Sequence, residues 1–407
     1  MRWALSLVAQ DAATRMPAKN DQDETRLIRA GLSRDRKVKT VGPAIQKGST
    51  VLLPDAASLY ADAGQITYGR QGLSAQFALQ AAIEELEHAT FATLYPSGLA
   101  ALTGTLLAVL KAGDEVMVTD TIYKPTRQFC DRVLKRFGVT TNYFDPRQSP
   151  DALIDAMPAA TALILLESPG SLSFEMQDVA QIAALAKQRG VLTVADNTWG
   201  AGYLFRPLDH GVDISVQALT KYVAGHSDIF MGSAAVCDAK LAGALKDGVD
   251  NLGWAVAGDE AYQVLRGLRT LATRLERQGE SGLVVANWLG DHPEVVEVYH
   301  PALPGAPGHD LWKRDFTGAC GLFAFSLTAG PVSAVNAFLD ELRLFGLGFS
   351  WGGFESLAIS CDAQLKVRKF HPNYGGPLIR LHIGLEDPKD LISDLERALG
   401  VYKTCRT

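Results

Sequence analysis

Cysteine is scarce in this sequence, with five residues in a chain of 407. The five are odd in number and widely spaced, and no Cys-x-x-Cys or mixed Cys/His pattern occurs among Cys130, Cys237, Cys320, Cys361 and Cys405. A disulfide framework or a zinc site needs closer and more regular spacing. We therefore expect reduced thiols, a cytoplasmic location and no bound metal.

Positive charge is not in excess, because the formal net charge is −6 and the Lys and Arg residues are not clustered. Nucleic-acid-binding proteins need a basic stripe or patch, so this composition argues against such a partner. No apolar run approaches the length of a membrane span, which argues against a membrane partner. The apolar stretch after Met1 is too short for a signal peptide, and Met16 is an alternative start of translation.

The composition that remains is that of a globular protein, 47% apolar and 21% charged, in a chain long enough for two or three domains. From residue 89 to residue 236, short β-rich runs alternate with helical periodicity, which predicts right-handed βαβ units. Strands are expected at 91–95, 115–119, 139–143, 162–166, 191–195, 214–219 and 234–236. The main helices are expected at 99–111, 124–137, 179–188 and, as one long amphipathic helix, 259–288.

These elements predict an α/β fold with a mostly parallel seven-stranded sheet in a large domain at residues 72–268. Residues from about 17 to 55 are polar and mixed, and residues 1–71 are predicted to form an N-terminal arm that wraps a partner subunit. Residues 269–407 predict a smaller C-terminal α/β domain.

Three signals occur where predicted strands end. Pro96-Ser97-Gly98 precedes a helix, whose free N–H groups can bind an anion such as phosphate, although many such turns bind nothing. Asp196 follows a buried strand, either as a functional carboxylate or as a turn former or helix cap. Lys221 lies among apolar residues, where burial favours the neutral, nucleophilic amine; the alternative is a lysine that extends its amine to solvent.

In chain order, a phosphate-binding turn, a strand-end acid and an apolar lysine fit pyridoxal phosphate (PLP). The lysine of such a site forms a Schiff base with the cofactor, and the acid holds the pyridinium nitrogen. Ligands of open α/β sheets bind beyond the carboxyl ends of the strands, where all three signals fall. Together they predict a PLP site.

Longer motifs surround these residues: Tyr68-Gly-Arg70, Asp196-Asn-Thr-Trp199, Thr220-Lys221-Tyr222 and Gly225-His-Ser-Asp228. They resemble the motifs of the Cys/Met-metabolism PLP-dependent enzymes of fold type I, from about Thr25 to the C-terminus. A second group is similar to the bacterial cystathionine β-lyase branch of that family: Glu167-Ser-Pro-Gly-Ser171, Ser350-Trp-Gly-Gly353, Glu355-Ser-Leu357 and Ile379-Arg-Leu-His-Ile-Gly384.

The resemblance implies a role for each matching residue. The implied catalytic set is Lys221 as the Schiff-base lysine, Asp196 on the pyridine nitrogen and Tyr123 stacked on the ring. The implied phosphate contacts are the backbone N–H groups of Gly98 and Leu99, the Thr220 hydroxyl, and Tyr68 and Arg70 from the neighbouring subunit. The implied substrate contacts are Arg380 as a clamp on the α-carboxylate, with Ser350, Trp351 and Tyr68.

Plainer roles stay open for several of these side chains. Tyr123 is also compatible with a core aromatic, Arg380 with a solvated face of a strand, and Trp351 with a loop plug. The sequence also departs from the family at Ala218, where many members carry a serine three residues before the lysine. Alanine has no hydroxyl, so that phosphate contact is not carried over.

The implied reaction is the α,β-elimination of L-cystathionine to homocysteine, pyruvate and ammonia, a step of methionine biosynthesis, with cysteine or cystine desulfhydration as a side activity. Lys221 would remove the Cα proton and protonate the leaving sulfur. The alternatives are a cystathionine γ-lyase or another C–S lyase of the family and, outside enzymes, a PLP-binding regulatory protein. The resemblance also implies a homotetramer built from dimers that share active sites.

Overall fold

The computed structural model describes residues 22–31, 40–60, 65–370 and 372–406. The two alternative starts, Met1 and Met16, lie outside the described residues. Within them, no helix is both long and apolar enough to cross a membrane.

The larger of two sheets has seven strands, which is the number predicted. They are Phe91–Tyr95 (β1), Glu115–Thr119 (β2), Thr140–Phe144 (β3), Thr161–Glu167 (β4), Leu192–Asp196 (β5), Ile214–Gln217 (β6) and Gly232–Val236 (β7). The order is β1-β7-β6-β5-β4-β2-β3. Six strands run in one direction, and only β7 of this sheet is antiparallel, to both of its neighbours β1 and β6. The central strands are buried along most of their length, which is why they read as continuous apolar runs.

The helices that precede, connect and follow these strands are Asp23–Arg29 (α1), Ser74–Glu87 (α2), Gly98–Val109 (α3), Lys124–Arg132 (α4), Pro150–Asp155 (α5), Val179–Gln188 (α6), Ala239–Leu252 (α7), Gly258–Leu268 (α8) and Leu271–Gly290 (α9). Short 3₁₀ turns lie at Ala57–Leu59, Gly69–Gln71, Leu134–Phe137 and Pro207–His210. The helix predicted at 124–137 is therefore shorter, because the chain tightens into a 3₁₀ turn that ends at Gly138 in a left-handed conformation.

The single long helix predicted at 259–288 is wrong, since α8 and α9 are separated at Arg269 and Thr270. The Gly267 carbonyl explains the break. It accepts hydrogen bonds from the Thr270 N–H at 3.1 Å, the Thr270 hydroxyl at 3.2 Å and the Arg274 guanidinium at 2.8 Å. In a continuous α-helix this carbonyl would accept from the N–H of Leu271, four residues later. Here it is already bonded to other donors.

The smaller sheet has the strands Val295–Tyr299 (β8), Leu322–Leu327 (β9), Gly346–Leu347 (β10), Leu357–Ser360 (β11) and Leu378–His382 (β12), in the order β10-β11-β12-β9-β8. Its helices are His309–Asp315 (α10), Val332–Glu341 (α11), Asp362–Leu365 (α12) and Pro388–Arg406 (α13). The core between sheet and helices is aromatic, with Phe323, Phe325, Phe338 and Tyr402 fully buried. This is the smaller α/β unit that the C-terminal sequence predicts.

Helix α9 belongs to both hydrophobic cores. Leu271 and Leu275 pack in the core of the large sheet, whereas Val285 and Leu289 pack in the core of the small one. A helix shared in this way fixes the small unit against the large one. The division into 1–71, 72–268 and 269–407 remains a proposal.

Candidate active site

A cavity of about 530 Å³ lies beyond the carboxyl ends of β4, β5 and β6, between the two sheets. The large sheet contributes the strand ends, the turn after β6 and the starts of α3 and α4. The small unit contributes the segment before β11 and one side chain of β12. The predicted site residues in its wall are Gly98, Leu99, Tyr123, Asp196, Thr220, Lys221, Ser350, Trp351 and Arg380.

Lys221 lies in the turn that follows β6. Its Nζ donates a hydrogen bond to the Ser350 hydroxyl at 2.8 Å and lies 5.4 Å from the centre of the Trp351 ring. Burial, together with the positive charge of Arg380, lowers the pKa of Lys221 to about 8, against the opposing effect of Asp196. A large fraction of this amine is therefore neutral under mildly alkaline conditions.

The turn that carries Lys221 is held by Arg274 of α9. The Arg274 guanidinium is buried and donates to the carbonyl oxygens of Tyr222 at 2.7 Å and of Val223 at 3.3 Å. The same side chain binds the Gly267 carbonyl. Burial lowers the pKa of Arg274 to about 10. An arginine thus fixes the backbone on which Lys221 stands.

Asp196 is buried at the end of β5, and one of its oxygens is fixed by its own turn. Oδ1 accepts hydrogen bonds from the Thr198 N–H at 3.1 Å and the Thr198 hydroxyl at 2.5 Å. That hydroxyl accepts in turn from the Ala218 N–H at 3.0 Å, which ties the acid to the lysine turn. Burial raises the pKa of Asp196, while the Thr198 bonds and the charge of Lys221 lower it. The second oxygen, Oδ2, has no protein partner in the described part of the chain.

The start of α3 forms the turn predicted to bind phosphate. The Ser97 hydroxyl caps the helix by accepting from the Ala100 N–H at 3.1 Å. Among the described residues, the N–H groups of Gly98 and Leu99 have no acceptor. Gly98 packs against Ala218, since a Cβ at Gly98 would lie 2.3 Å from the Ala218 Cβ. Only glycine allows this approach, and two adjacent N–H donors are left for an anion.

The Thr220 hydroxyl differs from the implied contact in one respect. It donates to the Met231 carbonyl at 3.2 Å and accepts from the Met231 N–H at 3.0 Å. A hydroxyl has one proton, so Thr220 must release the carbonyl before it can donate to a phosphate. Ala218 lies on the same wall and offers no hydroxyl.

Arg380 is buried on β12, so the solvated alternative is wrong for this side chain. Its Nη2 donates to the carbonyl oxygens of Phe349 at 3.0 Å and Ser350 at 3.1 Å. Its Nε has no hydrogen-bond partner in the described part of the chain. A buried N–H without an acceptor is costly. The guanidinium is therefore held on one side and free to bind an anion on the other.

Trp351 and the glycine after it lie against the lysine turn. The Trp351 ring contacts the edge of Tyr222, with ring centres 5.4 Å apart. Gly352 has a φ of +83°, and a Cβ added there would lie 2.8 Å from the Tyr222 backbone nitrogen and 2.9 Å from the Lys221 carbonyl carbon. Its N–H donates to His382 Nε2 at 3.1 Å, and burial lowers the pKa of His382 to about 3, so this histidine stays neutral. Tyr123 reaches the cavity from the start of α4 and is 45% exposed.

Tyr68 and Arg70 do not line this cavity in the same chain. They lie at the 3₁₀ turn Gly69–Gln71, where the Arg70 guanidinium donates to the Asp250 carbonyl at 2.8 Å. Their predicted role in the site of a neighbouring subunit stays a prediction.

Two residues that the sequence analysis did not assign also belong to the site. Glu167 ends β4 and lines the cavity, and it accepts the Tyr123 N–H at 2.7 Å. The same signal that selects Asp196, an acid directly after a buried strand, could have found it. Arg274 lies 53 positions after Lys221 in the sequence, and no local pattern connects the two.

The residues fit the PLP that the motifs imply. A cavity of about 530 Å³ lies within the range of small-molecule sites. Two unpaired N–H groups at the start of α3 suit a phosphate, the free Oδ2 of Asp196 suits a pyridinium N–H, and Lys221 supplies an amine of lowered pKa.

Comparisons with known proteins agree with this geometry. Residues 24–400 match the family described as Cys/Met metabolism PLP-dependent enzyme. The chain is 42% identical to the cystathionine beta-lyase MetC of Escherichia coli over 385 residues, which is 92% of this chain and 97% of the relative. It is 40% identical to the cystathionine beta-lyase of Salmonella typhimurium over 386 residues, again 92% of this chain and 97% of the relative.

Among solved structures, metB from Corynebacterium glutamicum superposes with a TM-score of 0.88 at 27% identity, covering 94% of this chain and 98% of that one. The predicted fold class and the resemblance of the motifs are thereby confirmed. The chain belongs to the Cys/Met metabolism PLP-dependent enzymes.

Proposed function

We propose that this protein is a cystathionine β-lyase, which converts L-cystathionine to homocysteine, pyruvate and ammonia by α,β-elimination. The observation that carries the proposal is the convergence of Lys221, Asp196 and Arg380 on one cavity. A base of lowered pKa, an acid for the cofactor and a free guanidinium are what elimination from an amino acid requires. The relatives described as cystathionine beta-lyases, at 40% and 42% identity, support the choice of substrate.

Within one chain, Gly98, Leu99, Tyr123, Asp196 and Lys221 would hold the cofactor, and Tyr68 and Arg70 of a neighbouring chain would add to the phosphate contacts. When bound, PLP supplies an electron sink for the charge that develops at the substrate Cα. The N–H groups of Gly98 and Leu99 would bind the phosphate, and Asp196 Oδ2 would accept the N–H of the ring. Tyr123 would cover the ring and exclude water from one of its faces.

Ser350 connects the proposed base to the proposed carboxylate clamp. Its hydroxyl accepts from Lys221 Nζ at 2.8 Å, and its carbonyl accepts from Arg380 Nη2 at 3.1 Å. A carboxylate bound at the free Nε of Arg380 would therefore bring the substrate Cα close to Lys221. With a pKa of about 8, Lys221 can take the Cα proton as a neutral amine and return it to the leaving sulfur.

The alternative within the family is γ-elimination. Loss of sulfur from Cγ needs an additional proton transfer at Cβ, whereas β-elimination needs only the two transfers assigned to Lys221. The same β-elimination acts on any substrate with a good sulfur leaving group at Cβ. Cysteine or cystine desulfhydration is therefore part of the proposal as a side activity.

The experiment that tests the function is product analysis by mass spectrometry after incubation with L-cystathionine. Pyruvate with homocysteine supports β-cleavage, whereas 2-oxobutyrate with cysteine refutes it in favour of γ-cleavage. PLP bound to Lys221 should make the purified wild type yellow. Lys221→Ala is the control, which should form none of the products and should not be yellow. A yellow wild type that forms neither pair of products would point to a PLP-binding regulator.

We further propose a dimer that shares its sites, within a tetramer. Tyr68 is 49% exposed at the surface of its own chain, and nearby arm residues such as Leu52 and Tyr60 are more than 90% exposed. Apolar side chains that exposed suit burial against a second copy.

Two inactive variants test the shared site. In a mixed dimer of one Lys221→Ala chain and one Arg70→Ala chain, one of the two sites has Lys221 from the second chain and Arg70 from the first, both intact. Mixing the two proteins should therefore restore activity. A mixture that dissociates, exchanges subunits and remains inactive would contradict sharing.

A cytoplasmic location is also part of the proposal. All five cysteines are free, and Cys237 and Cys405 are exposed. Exposed thiols are compatible with a reducing compartment.

A further inference from the structure

The cavity wall carries a second carboxyl group that the proposed mechanism does not use. Glu167 ends β4 as Asp196 ends the neighbouring parallel strand β5, and the two residues are direct register partners. Side chains at one register position on neighbouring parallel strands share a face, and such strands lie about 4.8 Å apart. Both residues line the cavity, so their carboxyl groups are neighbours.

Asp196 is the better placed of the two to remain ionised. Its Oδ1 accepts two hydrogen bonds from Thr198, and the Lys221 ammonium attracts its charge. Glu167 Oε2 accepts one hydrogen bond, from the Tyr123 N–H at 2.7 Å. Hydrogen-bond donors and opposite charges favour the ionised form, while a like charge nearby disfavours it. Of two adjacent carboxyls with one proton, Glu167 therefore holds it.

The other charged groups around Glu167 do not reverse this order. Arg368, in the loop after α12, attracts its charge but already donates to the Ser171 carbonyl and the Ser173 hydroxyl. Asp120, after the adjacent strand β2, is paired with Arg127. Burial and the charge of Asp196 outweigh Arg368 and raise the pKa of Glu167 well above its ordinary value of 4.5. The cations Lys124, Lys221 and Arg380 line the same cavity and complete its set of charged side chains.

We propose that Glu167 is a positioning residue that keeps its proton at neutral pH, holds the start of α4 through the Tyr123 N–H, and leaves Asp196 as the single anion at the inner end of the cavity. The proposal rests on the proposed function for the role of Tyr123 and Asp196 toward the cofactor.

Each part of this role follows from a contact. Tyr123 is the N-cap residue of α4, and its side chain makes no capping hydrogen bond. The bond from its N–H to Glu167 therefore fixes the backbone position from which the Tyr123 ring extends into the cavity. A neutral Glu167 places no second negative charge beside Asp196, which would otherwise repel it. Asp196 then remains the anion that its family role pairs with the pyridinium N–H.

Glu167→Gln separates the positioning of Tyr123 from the charge state of the carboxyl group. The carboxamide keeps an acceptor for the Tyr123 N–H but cannot ionise. In the wild type, the native state keeps a proton that the unfolded chain loses above pH about 4.5. Raising the pH from 5 to 8 then favours unfolding, by up to tenfold in the equilibrium constant per pH unit. Glu167→Gln lacks this dependence, so it should become steadily more stable than the wild type as the pH rises.

The measurement is the urea midpoint of the PLP-loaded proteins at pH 5, 6, 7 and 8. Glu276→Gln, at an exposed position of α9, is the matched control and should show no such trend. A difference between Glu167→Gln and the wild type that is constant with pH, or that falls with pH, would overturn the protonated state. If the glutamine variant does not fold, Glu167→Met, which is also uncharged, takes its place.

Visible circular dichroism of the bound cofactor tests the positioning of Tyr123. Glu167→Gln should keep the wild-type signal, and Glu167→Ala, which removes the acceptor, should reduce it. An unchanged signal in Glu167→Ala would refute the positioning role. The urea series needs no substrate, so a protein that fails to cleave cystathionine can still show the trend, and failure of the proposed function is distinguished from failure of this inference.

Discussion

Replacing Arg274 with methionine removes the guanidinium that holds the Lys221 turn. In the folded protein, Arg274 donates to the carbonyl oxygens of Tyr222, Val223 and Gly267 at 2.7, 3.3 and 2.8 Å. Methionine is of similar length and fills most of the space, but it donates no hydrogen bond. The Tyr222 and Val223 carbonyls then lose this donor, whereas the Gly267 carbonyl keeps its two bonds from Thr270.

Each buried acceptor that loses its donor costs about 1 to 3 kcal/mol. The substitution also removes the cost of burying a guanidinium, which the lowered pKa of Arg274, about 10, reflects. We therefore expect a net loss in the free energy of unfolding near the lower end of the sum for these two acceptors, about 2 kcal/mol. Lys221 shifts with its turn, and a misplacement on the order of 1 Å lowers kcat by about 100-fold.

The assay compares urea midpoints and kcat of Arg274→Met with those of Arg277→Met. Arg277 lies on the same helix, is exposed, and forms no ion pair among the described residues. Its replacement is the same change of residue type but leaves the contacts of the Lys221 turn intact. We expect a lower midpoint and lower kcat for Arg274→Met only. Equal midpoints for the two variants would refute the reasoning.

Three further predictions concern the cavity. Because the pKa of Lys221 is about 8 rather than 10.5, labelling of its amine in the cofactor-free protein should rise with pH around 8 and level off above it, as followed by peptide mass spectrometry; a midpoint near 10.5 would contradict this. Arg380→Leu should raise the KM for cystathionine at least tenfold while the protein stays yellow, since a bidentate carboxylate contact is lost; unchanged kinetics would remove Arg380 from that role. Ala218→Ser adds a hydroxyl beside the Gly98 turn and should lower the Kd for PLP, measured by equilibrium dialysis; an equal or higher Kd would place the phosphate elsewhere.

The strands were the most predictable part of the fold. The strand Glu115–Thr119 has an apolar centre, Val-Met-Val, because it is buried in a sheet with helices packed against it, so the pattern and the strand share nearly the same bounds. The sequence analysis does not predict the helix Ala239–Leu252. Of its residues only Leu245 is buried, and Gly243 and Gly248 interrupt its periodicity. The antiparallel direction of β7 has no local signal, because direction is decided by the connection and not by composition.

The site was predictable where function falls at a strand end or a helix start. Gly98 and Lys221 follow strands and Asp196 ends one, and the parallel sheet brings the ends of neighbouring strands to one edge. Ser350, Trp351 and Arg380 were assigned from motifs alone, since the contact between the two sheets that brings them to Lys221 cannot be read from spacing. The Arg274 bonds to Tyr222 and Val223 are of the same non-local kind.

The sequence by itself determined the α/β class, the order of turn, acid and lysine, and the family, because these depend on periodicity and on motifs that are local in the chain. Only the tertiary structure decided the charge state of the site. The pKa of Lys221 is lowered by burial and by Arg380, and the proposed proton on Glu167 depends on its register with Asp196. Electrostatic energies depend on distance and solvent exposure, and both arise only when distant segments pack together.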